Sequence, residues 1–247
     1  MGTRRHNNED NFYLDGLYKS IELADMPSHL CRIANQKAVI AVCDGMGGAS
    51  YGEYAAWLAV TTIAERYREL CCDHGSAKQV ENCVQEMNRL ICKEGKRRDC
   101  EMGSTIVLAI LQGEIAHIYN LGDSRAYLFS NGKLTRLTQD HTLGESLRSI
   151  GLPATSHIKA RQLTQHLGMD DSEFLLEPYH TSVTFHPGDR LLLCSDGLTD
   201  MMGEAQIALL LSDGSTPDIQ AIRLTRQAER AGGKDNITAL VVDCIEK

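Results

Sequence analysis

Four aspartates stand next to apolar, strand-like segments, and their positions predict a single cluster of carboxylates. Asp44 follows the apolar run AVIAVC, Asp196 follows RLLLCS, and Asp123 follows IAHIYNLG. Asp235 stands just before the apolar run ITALVV, so in an antiparallel neighbour it would lie at the same edge of the sheet. A single Asp-Gly or Gly-Asp pair is more often a plain turn. The shared placement is what indicates a site.

Glu9 and Asp10 precede the first strand-like stretch, Phe12 to Tyr18, and would join this cluster. Two unit charges ~4 Å apart repel each other by about 4 kcal/mol at an effective dielectric constant of 20, so converging carboxylates need protons or cations. Oxygen ligands without His or Cys suit hard ions such as Mg²⁺ or Mn²⁺. Zinc is disfavoured because the chain has no HExxH motif and no His at ligand spacing beside these acids.

The apolar patterns also predict the elements that position these acids. Short strands that are apolar on both faces are predicted at 38–43, 104–111, 191–194 and 237–242, and amphipathic helices at 52–70, 77–93 and 218–231. Between 104 and 138 the strand signals are separated only by turns, of which Asn131-Gly132 is the strongest hairpin signal. We therefore expect an α+β fold, a four-layer α-β-β-α sandwich of two largely antiparallel sheets flanked by helices.

The length of 247 residues and the hydrophobic share of 43% predict one domain over 1–247. Residues 142–179 are more polar and less regular, which indicates either a flap insertion or a helical connection. A net charge of −8 argues against nucleic-acid and anionic-membrane partners. Nine cysteines without a CxxC pair, and the lack of an apolar signal or membrane segment, predict a cytoplasmic protein with reduced thiols.

Five short motifs, in this order along essentially the whole chain, resemble those of a known family. They are Arg5-x-x-Asn8-Glu9-Asp10, Asp44-Gly45-Met46-Gly47-Gly48, Gly122-Asp123-Ser124-Arg125, Ser195-Asp196-Gly197-Leu198-Thr199-Asp200 and Asp235-Asn236. The resemblance is to the metal-dependent Ser/Thr protein phosphatases, the protein phosphatase 2C or PPM family, in its short bacterial form. One motif would be weak evidence, whereas five in sequence are specific. The family fold, a β-sandwich flanked by helices, agrees with the layers expected above.

The resemblance implies a centre that holds two Mn²⁺ or Mg²⁺ ions and a third, weaker one. The residues that match the family's metal ligands are Asp10, Asp44, Gly45, Asp123, Asp196, Asp200 and Asp235. Among them, Asp44 matches the residue that bridges the two metals, and Asp196 matches a further ligand of that pair. Asp123 and Asp200 match the weaker third position.

The resemblance also implies roles around the metals. Asp10, with Glu9 behind it, would act mainly through metal-bound water, and Asn236 would stand behind the ligands. Arg5 matches the arginine that grips the substrate phosphate, a task that suits the fork of a guanidinium. The residues expected to carry the catalysis are Arg5, Asp44 and Asp196.

The implied activity is hydrolysis of phosphoserine and phosphothreonine in proteins by a metal-activated water that attacks phosphorus in line, with no phospho-enzyme intermediate. Such an enzyme would work in signalling, opposing a Ser/Thr kinase, and we expect a monomer. Some family members place a general-acid His where this chain has Met46 and Ala49, so a metal-bound water or His6 would have to serve. The alternative is a pseudophosphatase that acts as a binding module, which the retained carboxylates disfavour.

Overall fold

The computed structural model describes residues 2–23, 37–47, 51–72, 77–153, 158–170 and 175–245. The strands are β1 (Asp10–Leu14), β2 (Leu17–Tyr18), β3 (Lys37–Gly47), β4 (Met102–Ser104), β5 (Ile106–Gln112), β6 (Ile115–Leu121), β7 (Arg125–Ser130), β8 (Lys133–Arg136), β9 (Tyr179–Thr184), β10 (Arg190–Cys194) and β11 (Ala239–Asp243). The helices are α1 (Gly52–Leu70), α2 (Ala77–Arg98), α3 (Leu143–Ser149), α4 (Asp196–Thr199), α5 (Glu204–Leu211) and α6 (Pro217–Arg230), with a 3₁₀ helix at Ile158–Arg161.

The strands form two sheets whose pairs are all antiparallel. The first has the order β2-β1-β3-β5-β6-β9, with β4 paired to β3, and the second has the order β11-β10-β7-β8. The two sheets stack face to face, and helices cover both outer faces. The predicted α+β fold with α-β-β-α layers is therefore confirmed.

Strand β3 explains why the central strands are apolar on both faces. Its residues Val39, Ala41 and Cys43 pack against the apolar stripes of α1 and α2, while Ile40 and Val42 face the second sheet. The two sets alternate because successive side chains of a strand point to opposite faces. Side chains of the second sheet also alternate between its two faces, and those on its outer face pack against α5 and α6.

Turn chemistry divides the strands where small residues permit a positive φ. Asn131 and Gly132 have φ values of 52° and 76°, and they close the predicted hairpin between β7 and β8. Asp15 and Gly16, with φ values of 45° and 105°, split the predicted strand-like stretch 12–18 into the hairpin β1–β2. Helix α2 extends five residues beyond the predicted end at 93.

The described part of the segment 142–179 holds α3 and the 3₁₀ helix, and isolated bridges tie Thr142 to Leu163 and Ser104 to Leu167. A flap insertion here, within a single domain over 1–247, stays a prediction. Within the described ranges, no helix combines the length and the apolar character needed to cross a bilayer.

Candidate active site

The predicted carboxylates meet at the edge where both sheets end. The register of β1 and β3 places Asp10 directly opposite Asp44. From the second sheet, Ser195 and Thr238 both donate hydrogen bonds to Oδ2 of Asp10, over 2.7 and 2.8 Å. Ser195 directly follows β10 and precedes Asp196, so these bonds draw the Asp196 turn towards the acids of the first sheet.

The acids at this edge also interact with one another electrostatically. Burial raises the pKa of the Asp44 carboxyl well above its usual value, and the charges of Asp10, Asp196, Asp123 and Asp235 raise it further. Burial and the neighbouring aspartates raise the pKa of Asp196 to about 7 and that of Asp123 to about 6. Such carboxyls lose protons reluctantly unless a cation offsets their charge.

The donor set fits a hard divalent cation. Asp10 Oδ1 and Asp196 Oδ1 are buried and have no hydrogen-bond partner among the described residues. A buried carboxylate oxygen without a donor is costly, and a cation coordinated by oxygen removes that cost. In the described ranges no three His, Cys, Asp or Glu side chains lie close enough together to hold a metal ion as they stand. Two of the expected ligands point to arginines instead.

Those two acids are Asp235 and Asp200. Arg5 Nη2 donates to Asp235 Oδ2 over 2.7 Å, and the side chain of Arg5 is half exposed. Arg161, at the end of the 3₁₀ helix, forks onto both oxygens of Asp200, with Nη2 2.7 Å from Oδ1. The arginines thus hold the carboxylates on the rim, whereas the deeper Asp10, Asp44 and Asp196 have no arginine partner in the described residues.

The glycine of each Asp-Gly motif permits a close approach of two segments. A Cβ on Gly45 would lie 2.0 Å from the carbonyl oxygen of Gly52, and a Cβ on Gly197 would lie 1.9 Å from that of Asn236. Neither glycine can be replaced by another residue unless the backbone moves. These motifs are therefore more than plain turns, because they let α1 and the Asp235 loop pack directly against the site.

Asn236 holds the N-terminal segment in place. Its Nδ2 donates to the carbonyl of Asn7 over 2.9 Å, and its Oδ1 accepts from the backbone N–H of Glu9 over 2.9 Å. Burial raises the pKa of Glu9, and the charge of Arg5 lowers it. The two Asn236 hydrogen bonds hold the segment between Arg5 and Asp10 against the loop that contains Asp235.

Hydroxyl groups that sequence reasoning did not single out fix the backbone of Asp44. Thr105 donates its N–H to the Asp44 carbonyl over 2.9 Å and accepts the Asp44 N–H at Oγ1 over 3.2 Å. Ser104 Oγ also donates to that carbonyl, and Ser124 Oγ lies 2.7 Å from Thr105 Oγ1. Ser124 belongs to the Gly-Asp-Ser-Arg motif, which was the only signal for this network in the sequence.

Lys19 is a buried cation that no motif indicated. Its Nζ donates to the carbonyl of Asn8 over 2.7 Å, and its charge lowers the pKa of Asp10, which burial raises.

Among the histidines, His6 is exposed beside Arg5. Met46 is half-buried, and Ala49 lies outside the described residues.

Comparison with known proteins settles the family. The sequence model described as Protein phosphatase 2C matches residues 27–231. The chain belongs to the protein phosphatase 2C family. The serine/threonine phosphatase stp of Listeria innocua is 32% identical to it, with 98% of this chain and 92% of the relative covered. The serine/threonine protein phosphatase PstP of Mycobacterium tuberculosis is 32% identical over 84% of this chain and 40% of that relative.

Solved structures of the family agree. The serine/threonine phosphatase of S. agalactiae has a TM-score of 0.82 and 29% identity, covering 100% of this chain and 96% of that one. The catalytic domain of PstP in complex with two manganese ions has a TM-score of 0.77 and 29% identity, covering 99% and 95%. The family resemblance, and the enzyme class predicted from it, a protein-serine/threonine phosphatase, are confirmed.

Proposed function

We propose that this phosphatase hydrolyses phosphoserine and phosphothreonine in proteins with two Mn²⁺ or Mg²⁺ ions held by Asp44, the Gly45 carbonyl, Asp196 and Asp235. The observation that supports this proposal best is that Asp10 Oδ1 and Asp196 Oδ1, two buried carboxylate oxygens near Asp44, have no hydrogen-bond partner among the described residues. Asp10 would reach the cations mainly through water. The related PstP structure contains two manganese ions, which supports the same metal and the same number.

When bound, the two cations supply a water of lowered pKa as the nucleophile and offset negative charge on the phosphoryl group. The chain's own contribution is to hold the deep carboxylates in place. The Thr105 bonds fix the backbone of Asp44, which limits the positions that its side chain can take relative to Asp196. Asn236 and Lys19 do the same for the chain that leads into Asp10.

Arg5 is suited to bind the substrate phosphate without releasing Asp235. A guanidinium has five N–H donors, and the pair with Asp235 is made by Nη2 alone. The half-exposed position leaves the remaining donors open to phosphate oxygens. Asp235 would therefore orient Arg5 in addition to serving as a ligand.

A third, weaker cation would bind between Asp123 and Asp200. Burial raises the pKa of Asp123 to about 6, so this carboxyl gains from a nearby cation. Arg161 already forks onto Asp200 and supplies positive charge there. We propose that the third ion and Arg161 compete for Asp200, which would make this position the weakest of the three.

The retention of all the deep carboxylates disfavours the pseudophosphatase alternative, and the relatives named as phosphatases favour catalysis. The substrates would be phosphorylated proteins, and the opposing enzyme a Ser/Thr kinase. A role in signalling, a cytoplasmic location and a monomeric state stay predictions.

The decisive experiment measures phosphate release from a phosphoserine peptide with Mn²⁺ and then with excess EDTA. We expect release with Mn²⁺, loss with EDTA, and recovery on adding Mn²⁺ back. Asp44→Asn should abolish the Mn²⁺-dependent rate, whereas the matched exposed variant Asp99→Asn should keep it. Wild-type protein that binds Mn²⁺ and releases no phosphate from any phosphopeptide would overturn the proposal in favour of the binding module.

A further inference from the structure

Two hydroxyl groups from the second sheet bind the same oxygen of Asp10. Ser195 Oγ donates over 2.7 Å and Thr238 Oγ1 over 2.8 Å, both to Oδ2. The backbone N–H of Thr238 donates to Ser195 Oγ over 3.0 Å. Since Ser195 already accepts that bond, its single proton is available for the carboxylate. The donors thus come from two neighbouring strand ends and form one built arrangement.

The other oxygen of this carboxylate is left open. Asp10 is only 2% exposed, and its Oδ1 is buried without a hydrogen-bond partner among the described residues. Because Oδ2 accepts two hydrogen bonds and Oδ1 accepts none among the described residues, the carboxylate is held in one orientation. With Oδ2 tied to the second sheet, Oδ1 is the oxygen that remains for a ligand, in the carboxylate that lies opposite Asp44.

Without such donors the carboxylate of Asp10 would not keep one orientation. The terminal torsion of an aspartate is broad and roughly two-fold, so it carries little intrinsic preference. The negative charge of Asp44 across the strand pair would turn the group away from the site. Two hydroxyl donors on Oδ2 oppose that rotation, and they do so before any cation arrives.

We propose that Ser195 and Thr238 are positioning residues that preset Asp10, so that Oδ1 faces the coordination sphere of the catalytic cations. The inference rests on the proposed metal centre, since it concerns how this chain orients an acid that would reach the cations mainly through water. Groups that orient a ligand from behind typically change metal affinity 10–100-fold when removed. The competing explanation is that the two bonds merely tie the first sheet to the second.

The test compares Mn²⁺ affinity with the stability of metal-free protein. Thr238→Val removes one hydroxyl donor and keeps the shape of the side chain, and Ser195→Ala removes the other donor. Thr238→Ser keeps the hydroxyl and removes only the methyl group. The matched control is Thr62→Val, because Thr62 is also buried but its hydroxyl donates to the Leu58 carbonyl of its own helix. Calorimetric titration of EDTA-stripped protein gives the Kd, and thermal unfolding without metal gives the Tm.

We expect Thr238→Val and Ser195→Ala to raise the Mn²⁺ Kd at least about tenfold. Thr238→Ser should return it to near the wild-type value, and Thr62→Val should leave it unchanged whatever happens to Tm. An unchanged Kd in both Thr238→Val and Ser195→Ala, with a lower Tm, would overturn the inference in favour of a simple tie between sheets. If one variant fails to fold, the other decides.

Failure of the proposed function would look different. Wild-type protein that binds Mn²⁺ with an affinity dependent on Thr238, but hydrolyses no phosphopeptide, would keep the positioning role and remove the catalytic one. Wild-type protein that binds no Mn²⁺ would overturn both.

Discussion

Two sets of acids lie close together in this protein, and only one of them has arginine partners among the described residues. Asp140 is 8% exposed and is bound by two arginines, with Arg125 Nη2 2.6 Å from Oδ2 and Arg136 on Oδ1. Asp44 and Asp196, at the sheet edge, have no such partners in the described residues, and burial raises the pKa of both. The same residue type thus serves structure where the chain supplies the cation, and fits a metal where it does not.

The largest expected effect comes from removing a deep acid that has no arginine partner. Asp196→Asn should lower kcat/KM for a phosphopeptide by more than the ~100-fold that loss of an outer-shell group typically costs. The Tm of the metal-free protein should not fall, because the variant relieves repulsion among the acids. A fall in Tm like that expected for replacing Asp140 would show that Asp196 also has a structural role, which would contradict the comparison.

Asp140→Asn should give the opposite result. Removing the acid leaves Arg125 and Arg136 without their counter-charge, and breaking a buried pair costs about 3–5 kcal/mol. We expect the lower end of that range, since the two arginines are about a quarter exposed. Denaturant unfolding measures this loss, and calorimetric titration of the remaining folded protein should find Mn²⁺ affinity close to that of the wild type.

The stability of the metal-free protein should decrease as the pH rises from 5 to 8. The folded state raises the pKa of Asp123 to about 6 and that of Asp196 to about 7, above their values in the unfolded chain. Stability from such groups is fully present below the unfolded pKa and is lost as the pH rises through the folded pKa. Thermal unfolding in EDTA measures the trend, Asp196→Asn should flatten it, and Mn²⁺ should restore stability at pH 8.

Arg161→Ala tests the intermediate case, an acid on the rim with one arginine. Freeing Asp200 should strengthen a third, weak Mn²⁺ binding event about fivefold, as expected from the ~1 kcal/mol of an exposed ion pair. The two tighter events should be unchanged. Arg148→Ala is the matched control, because Arg148 pairs with Glu145 on α3. A third event that weakens in Arg161→Ala would show that the arginine supports the ion.

The smallest effect is expected for His6→Ala. His6 is exposed to solvent. The pH–rate profile should therefore keep its shape and height. If the decline of the rate at high pH or at low pH disappeared in the variant, the proton transfer would be assigned to this side chain.

The sequence predicted the layers well because burial leaves a local signal. Runs such as Val39 to Cys43 are apolar at every position since one set of side chains faces the helices and the other faces the second sheet. The hairpin at Asn131-Gly132 is equally local. The split at Asp15-Gly16 was not predicted, because an Asp-Gly pair inside a short apolar stretch resembles many plain turns.

The site was predictable only as a set of residues. The motifs and their order along the chain were enough to place this protein in its family, and strand ends indicated which acids would meet. The partners of each acid were not predictable, because they are far apart in sequence. Ser195 binds Asp10 across 185 residues, and Arg161 binds Asp200 across 39. Nothing in the spacing of either pair signals the contact.

What the sequence determined by itself is therefore the main strands and helices, the layer order and the presence of acids suited to hard cations. Only the tertiary structure decided which of those acids are neutralised by Arg5 and Arg161 and which remain open, and that Oδ2 of Asp10, not Oδ1, is tied by hydroxyls. The reason is physical. Burial and periodicity act on each segment separately, whereas the pairing of one charge with another depends on distances that arise only when the two sheets meet.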